Sequence, residues 1–208
     1  MDQSICARHR LDGGLLHTLS NPPRRVMTNT CLPPPTAEET RAAFGSDFDP
    51  DKTLNGAIAL AAAGDLAGPV IALMRAVFAC PAANARLREA MILRTAVRLN
   101  CKYAVHASTQ IALNSGLSQT EVEALTADGS VAGIDPDIVL IARMADEIAI
   151  RANLRADLLE AAIRRWGVSN TRKIILMLSW FNLVNRYENA CRVPNDSDEK
   201  LARSSGPT

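Results

Sequence analysis

The 208-residue sequence has few aromatic side chains, almost no net charge and no long apolar run. Aromatic residues make up 4% of the chain although 48% of it is hydrophobic, and this alanine- and leucine-rich composition is typical of packed helices. The formal net charge of +1 provides no electrostatic basis for binding nucleic acid or an acidic membrane surface. No apolar run approaches the roughly 20 residues that cross a bilayer, and the N-terminus lacks the apolar core of a secretory signal. We therefore expect neither a nucleic-acid nor a membrane partner.

The cysteines also lack a recognisable pattern. They are odd in number, widely spaced and without a C-x-x-C pair: Cys6, Cys31, Cys80, Cys101 and Cys191. This spacing argues against a disulfide framework or a zinc site and favours a reducing compartment. We therefore predict a cytoplasmic protein that holds no metal ion and uses no cofactor.

Three segments differ in composition and periodicity. Residues 1–35 contain scattered arginines and prolines without sustained periodicity, which predicts a disordered extension. Residues 36–194 show helical periodicity and no strand pattern, and Thr36 with Glu39 forms a capping box at the start. Residues 195–208 are polar, which predicts a flexible tail. The expected fold is a single all-α domain of about seven or eight helices.

The stretch from residue 84 to residue 125 concentrates the chemically active side chains. One apolar stripe at three- and four-residue steps predicts a first helix: Leu87, Ala90, Leu93 and Val97. Asn100 interrupts this pattern, and as a good N-cap residue it predicts a second helix that begins at Cys101. In one straight helix Glu89 and Cys101 would lie roughly 18 Å apart. Only a chain reversal near Asn100, or a second subunit, would bring the carboxylate to the thiol.

Local signals predict the remaining helix ends. Gly116 predicts a left-handed stop, and Ser118 with Glu121 predicts a capping box for a third short helix. Asp135 followed by a proline predicts another helix start, and Gly167 a stop. The last long helix should end near residue 192, with a core stripe at Ile174, Leu178 and Phe181.

Four motifs resemble those of one known superfamily. They are R-E-x-x-I-L-R-x-A, an N-C-x-Y step, A-L-x-x-G-L-S-x-x-E-V-E-A-L, and the later run DIVLIARMADEIAIRANL…FNLVNRYENACRVP. Together they cover about residues 40 to 195 and resemble the carboxymuconolactone decarboxylase and alkylhydroperoxidase D superfamily. This resemblance implies an alkylhydroperoxidase D-like helical fold and a homo-oligomer, a trimer or hexamer, with sites near subunit contacts.

The peroxidase branch of that superfamily has a Glu, then C-x-x-C, then a His four residues after the second Cys. Glu89 and Cys101 match the Glu and the first Cys. Ala104 stands at the second Cys position and Ser108 at the His position. By this resemblance Cys101 is the peroxidatic thiol, and it would need a resolving thiol from elsewhere.

The decarboxylase-like branch resembles Y-E-W-x-x-H, and Tyr103 matches its Tyr. Ala104, Val105 and Ser108 occupy the Glu, Trp and His positions. His106 is two residues early, about 200° around a helix from Ser108, so it does not simply inherit the role of the family His. Neither branch has its complete set of residues here.

Each catalytic candidate has a functional and a structural interpretation. Cys101 at a helix N-terminus would have a lowered pKa, or it fills an apolar stripe. Glu89 would relay protons, or it pairs with a neighbouring arginine at the surface. Tyr103 would orient a substrate oxygen, or it only packs. His106 would act as a general base, or it is a structural histidine.

Two further residues are candidates for substrate binding. Ser108 stands at the position of the family His but has no evident base beside it, so a structural role is the simpler interpretation. Arg186 would clamp a substrate carboxylate with its planar guanidinium. Its alternative is a salt bridge with Glu188, with Glu147 or with another subunit.

Three hypotheses for the function remain open at this point. The first is a carboxymuconolactone decarboxylase-like lyase or isomerase that uses cofactor-independent acid–base chemistry on a small carboxylate or lactone, by decarboxylation, isomerisation or hydration. The second is an alkylhydroperoxidase D-like thiol peroxidase, an antioxidant enzyme of peroxiredoxin type that uses Cys101. The third is a non-catalytic oligomeric binding protein. The incomplete motifs of both branches keep all three open.

Overall fold

The computed structural model describes residues 32–204, and within them the chain is helical with no β-strand. The helices are α1 (Ala37–Phe44), α2 (Asn55–Ala61), α3 (Ala67–Phe78), α4 (Ala85–Arg98), α5 (Lys102–Asn114), α6 (Gln119–Thr126), α7 (Pro136–Arg151), α8 (Ala156–Cys191) and α9 (Asp198–Ser204). The all-α prediction is confirmed for this part of the chain. The predicted extension, residues 1–35, lies almost entirely outside the described residues.

Three of the predicted caps form as the sequence indicates. Thr36 and Ser118 each accept a hydrogen bond from the backbone N–H three residues on, and the glutamate there bonds back to the cap, so both capping boxes are complete. The Asp135 carboxylate accepts from the N–H of Asp137 at 2.8 Å, and Pro136 is the first residue of α7. Three helix starts therefore follow from short-range side-chain chemistry alone.

The chain reverses at Asn100, but for a different reason than predicted. Asn100 adopts a left-handed conformation with φ of 52°, and the N–H of Cys101 bonds back to the carbonyl of Ala96 at 2.8 Å. This closes the C-terminus of α4 in a Schellman motif, which asparagine tolerates better than most residues. Cys101, and not Asn100, occupies the N-cap position of α5. The reversal packs α5 beside α4.

Helix α4 is the centre of the fold and packs against α5, α6, α7 and α8. Its buried face carries Ala90, Met91 and Leu93, none of which has exposed surface. The largest fully buried side chain is Arg94, also on α4. Its guanidinium forms two parallel hydrogen bonds to the Asp146 carboxylate on α7, at 2.6 and 2.9 Å.

The same guanidinium organises the loop after α6. Arg94 Nη1 donates to the carbonyls of Leu125 at 3.1 Å and Ala127 at 2.9 Å, and Nη2 also donates to the carbonyl of Gly129. A buried charge is tolerated only when it is paired and hydrogen-bonded. Arg94 therefore connects α4 to α7 and to the α6–α7 loop, and places α4 in a fixed position for the site.

Gly167 interrupts α8, as predicted, whereas the segment after α8 differs from the prediction. Gly167 has φ of 76° and ψ of 164°, a non-helical conformation, so α8 consists of two helices that meet at a kink. Beyond residue 194, where a flexible tail was predicted, residues 198–204 form α9, and Leu201 packs into a small apolar cluster with Tyr103 and Ala104 of α5. The long-range contacts of α9 with α5 were not readable from the local polar composition.

No single helix among residues 32–204 is long and apolar enough to cross a membrane. The bent pair formed by α2 and the stretch Gly64–Phe78 meets the length and composition requirement only when its two parts are taken together.

Candidate functional site

A cavity of about 740 Å³ lies among α2, α3, α4, α5 and α8. Its walls are largely apolar, with Leu60, Met74, Phe78, Ile92, Trp180 and Phe181 among the lining residues. Its polar lining includes Arg88, Glu89, Tyr103, Ser108, Asn185 and Glu188. A mostly apolar cavity with a few polar groups is the usual form of a small-molecule site.

Glu89 lines the cavity from α4 and is only 3% exposed. Burial raises its pKa to about 7, and the neighbouring Arg88 opposes this shift without cancelling it. The two side chains form an ion pair, with 3.6 Å between Arg88 Nε and Glu89 Oε1. Arg88 also donates to the carbonyl of Phe78 at 3.1 Å, and its guanidinium lies 5.0 Å from the centre of the Phe78 ring. The predicted ion pair thus exists, but in the wall of a cavity.

A second carboxyl group, that of Glu188 on α8, lines the same cavity and is 6% exposed. Burial raises its pKa to about 7; the hydrogen bond from Cys101 lowers it, and the charge of Asp196 raises it further. Glu188 was not predicted as a site residue from the sequence. The signal that could have found it lies in the core stripe of α8, which contains Ile174, Leu178 and Phe181. One four-residue and one three-residue step continue this stripe to Asn185 and Glu188, and two polar residues in a buried stripe indicate a site.

Cys101 is fully buried at the start of α5. Burial raises the pKa of its thiol to about 12, and backbone N–H groups at the start of α5 oppose the shift but are outweighed. Glu188 raises this pKa further, since its Oε2 lies 3.5 Å from Cys101 Sγ and accepts the thiol hydrogen. Of the two interpretations of Cys101, the lowered pKa at a helix N-terminus does not agree with this direction, because desolvation is the larger effect. The carboxylate that meets the thiol belongs to Glu188.

Tyr103 projects from α5 into the cavity wall and is held at its hydroxyl by two hydrogen bonds. The hydroxyl donates to Asp196 Oδ2 at 2.8 Å and accepts from the N–H of Gly56 at 2.7 Å. Burial, followed by the charge of Asp196, raises the pKa of Tyr103 far above its ordinary value. Tyr103 is therefore a neutral phenol at physiological pH.

Asp196 lies in the segment that was predicted to be a flexible tail, yet its side chain has no exposed surface. Besides Tyr103, its carboxylate accepts from the backbone N–H of Asn55 at 3.0 Å and pairs with Lys200 Nζ at 3.2 Å. Leu54, at the N-cap position of α2, has no side-chain acceptor, so Asp196 caps α2 from a distant part of the chain. Asp196 thus connects α2, α5 and α9.

Gly56 in α2 lies directly against these groups. A Cβ atom at this position would come within 2.8 Å of Cε1 of the Tyr103 ring and would overlap the Glu188 carboxylate. By helix propensity alone, Gly56 weakens its helix by about 1 kcal/mol relative to alanine. In the structure, the absence of a side chain allows Tyr103 and Glu188 to approach α2.

We predict that Gly56→Ala lowers the free energy of unfolding by about 1–3 kcal/mol, because the added methyl group forces Tyr103 and Glu188 away from α2. An alanine in a helix without such contacts would instead gain up to about 1 kcal/mol from propensity. Urea denaturation followed by circular dichroism measures the change. In a Glu188→Ala background the overlap with the carboxylate is absent, so the cost of Gly56→Ala should fall. An unchanged cost in that background would contradict the steric explanation.

The remaining candidates divide between the cavity and the surface. Ser108 is buried and lines the cavity. His106 is half-buried, with Nε2 3.3 Å from the backbone carbonyl oxygen of Asp196, and is not among the lining residues. Arg186 is exposed, donates to the carbonyl of Ala149 at 3.1 Å, and is also absent from the lining. The structure thus brings Glu89, Tyr103 and Ser108 to one cavity. Cys101 is hydrogen-bonded to Glu188, which also lines it.

These observations define an all-helical protein with a mostly apolar cavity that carries two buried carboxyl groups. Residues 65–147 match the model of the Carboxymuconolactone decarboxylase family, which confirms the resemblance for this part of the chain. Neither the curated proteins nor the solved structures include a match to the chain. Glu89, Cys101 and Tyr103 lie within the matched segment, whereas Glu188 and Asp196 lie beyond it. No group of three or more metal-binding side chains occurs among residues 32–204.

Proposed function

We propose that the protein is a carboxymuconolactone decarboxylase-like enzyme that performs cofactor-independent acid–base chemistry on a small carboxylate or lactone. The observation that carries this proposal is the pair Glu89 and Glu188, which line one cavity and both have a pKa raised to about 7. A group that gives or takes a proton is most effective when its pKa lies near the working pH. Ordinary carboxyl groups, with pKa values near 4, would be fully ionised there.

Two carboxyl groups of this kind support separate roles, one as the general base and the other as the general acid. Near neutral pH one is ionised and accepts a proton from a carbon next to a carbonyl group. The other is protonated and donates its proton to the carbonyl oxygen as negative charge develops there. Return of the two protons to different atoms completes an isomerisation, and loss of carbon dioxide or addition of water fits the same arrangement. The apolar walls limit the access of water to the reacting atoms.

A thiol peroxidase is the second candidate, and the observation that favours it is the hydrogen bond from Cys101 to Glu188. Glu188 would take the thiol proton, the thiolate sulfur would attack the peroxide, and a sulfenic acid and an alcohol would form. A separate reducing thiol would then have to regenerate Cys101. The raised pKa of the thiol makes this the weaker candidate. A non-catalytic binding protein remains the third.

The homo-oligomer, trimer or hexamer, is also part of the proposal. Leu176 and Leu183 lie seven residues apart on α8 and are both more than half exposed. This spacing places them on one face of the helix, where a second copy of the chain would cover them.

Hydrogen–deuterium exchange at carbon tests the proposed chemistry. We expect the protein in D₂O to exchange the protons next to the carbonyl group of a small lactone or β-keto acid, as followed by proton NMR. Glu89→Gln and Glu188→Gln should each slow this exchange by about 10²-fold, because general acid–base groups contribute at least that much. Cys101→Ser should retain exchange, and Glu160→Gln on the exposed face of α8 is the matched control.

The outcomes separate the three candidates. Exchange that is lost in both glutamine variants and kept in Cys101→Ser supports the acid–base enzyme. Consumption of an organic hydroperoxide that requires Cys101, without carbon exchange, would replace it with the peroxidase. Ligand binding without either reaction would support the third candidate, a non-catalytic binding protein.

A further inference from the structure

The single hydrogen of the Tyr103 hydroxyl already takes part in a hydrogen bond. That hydrogen is donated to Asp196 Oδ2 at 2.8 Å, on the side of the hydroxyl that faces the C-terminal segment. The other two partners of the Asp196 carboxylate, the N–H of Asn55 and the ammonium of Lys200, are both donors. A carboxylate surrounded by donors accepts from all of them, so the hydroxyl hydrogen of Tyr103 must point toward Asp196.

The oxygen of the same hydroxyl accepts the N–H of Gly56 at 2.7 Å. The phenol is therefore held at its hydrogen by the segment before α9 and at one of the two lone pairs of its oxygen by α2. As long as Asp196 is in place, a hydrogen bond between Tyr103 and a molecule in the cavity can only be donated by that molecule.

We propose that Asp196 is a positioning residue that acts through Tyr103: by holding the hydroxyl hydrogen away from the cavity, it makes Tyr103 an acceptor and selects ligands that carry a hydrogen-bond donor at this point. This inference rests on the proposed function only in taking the cavity as the substrate site. It restricts the role that the sequence suggested for Tyr103, to orient a substrate oxygen, to groups that carry a hydrogen-bond donor. It also assigns a role in specificity to a residue 93 positions away from Tyr103 in the sequence.

The first measurement observes Tyr103 itself. The chain contains two tyrosines, so protein labelled with ¹³C at tyrosine Cζ gives two signals, and Tyr187→Phe assigns them. We expect Asp196→Ala to move the Tyr103 signal because the hydroxyl loses its acceptor, whereas Asp198→Ala, an exposed position at the start of α9, should leave it in place. An unchanged Tyr103 signal in folded Asp196→Ala would overturn the proposal.

The second measurement tests ligand selection with two probes that share one ring system. 2-Naphthylmethanol has a hydrogen-bond donor, and 2-(methoxymethyl)naphthalene has only an acceptor. The full-length protein should bind the alcohol about three- to tenfold more tightly than the ether, the effect of one hydrogen bond. In Asp196→Ala the freed hydroxyl can donate, so the ratio should fall to about one or below. Tyr103→Phe, which keeps Asp196, should also abolish the preference, and Asp198→Ala should preserve it.

Equal binding of the two probes by the wild-type protein would overturn the proposal, as would an alcohol preference that survives in Asp196→Ala or in Tyr103→Phe. So would the failure of both probes to shift the Tyr103 signal. None of these measurements requires turnover. Loss of carbon exchange would therefore refute the acid–base enzyme without affecting this result, and an unselective Tyr103 would refute this inference while the acid–base chemistry stands.

Discussion

Replacement of Arg94 by methionine is expected to lower the free energy of unfolding by about 3–5 kcal/mol, the range for breaking a buried ion pair by removal of one partner. The guanidinium has no exposed surface and satisfies both oxygens of Asp146 and the carbonyls of Leu125, Ala127 and Gly129. Methionine fills much of the same volume but donates a hydrogen bond to none of these acceptors. The cost therefore comes mainly from unpaired polar groups and not from a cavity.

Urea denaturation of Arg94→Met measures this loss, and Arg98→Met provides a matched control. Arg98 is also on α4 and lies 3.4 Å from the same Asp146 oxygen, but its side chain is 26% exposed. Its replacement should cost less than about 1 kcal/mol, as for other partly solvated pairs. Similar losses for the two variants would show that the buried network around Arg94 is not a main support of the fold.

The second large effect is a fall in stability as the pH rises from about 4.5 to about 7. Glu89 and Glu188 have folded-state pKa values of about 7, raised from the value of 4.5 that applies to the unfolded chain. In this window the folded protein binds more protons than the unfolded one, so the stability that protonation provides is complete below pH 4.5 and is lost as the pH passes through 7. Each group contributes up to about 1.4 kcal/mol per pH unit.

Urea unfolding at pH 5, 6, 7 and 8 measures this slope. Glu89→Gln and Glu188→Gln should each remove about half of it, because glutamine does not titrate, and the double variant should be nearly flat. Glu160→Gln, which removes a carboxyl group from an exposed i,i+4 pair with Arg164, should keep the wild-type slope. A wild-type stability that rises between pH 5 and pH 7 would contradict the burial of protonated carboxyl groups in the cavity.

Part of the site could be predicted from the sequence. The resemblance to the family motifs predicted Glu89 and Tyr103 as candidates. Both residues lie in the matched segment and line the cavity. Gly56 and Asp196 could not be predicted, because their roles depend on contacts with Tyr103 across 47 and 93 residues of chain. Nothing in the local sequence of a polar tail indicates that one of its carboxylates caps a distant helix.

The ionisation of the site groups could not be predicted either. For Cys101 the sequence left two interpretations open, a lowered pKa at a helix N-terminus or a buried place in an apolar stripe, and burial raises the pKa of its thiol to about 12. Glu89 was expected either to act on the thiol or to form a surface pair, and it forms its pair inside the cavity wall. A helix terminus can be read from the sequence, but the degree of desolvation cannot.

The sequence by itself determined the local structure of this protein. The capping boxes, the proline at the start of α7 and the left-handed stop at Gly116 involve residues within a few positions of each other, and periodic apolar residues define the buried helix faces. Only the tertiary structure decided that Glu188 meets Cys101, that Asp196 holds Tyr103, and that two carboxyl groups share one apolar cavity. The physical reason is that these properties depend on which distant groups exclude water from one another, and that is set by the packing of the whole helical domain.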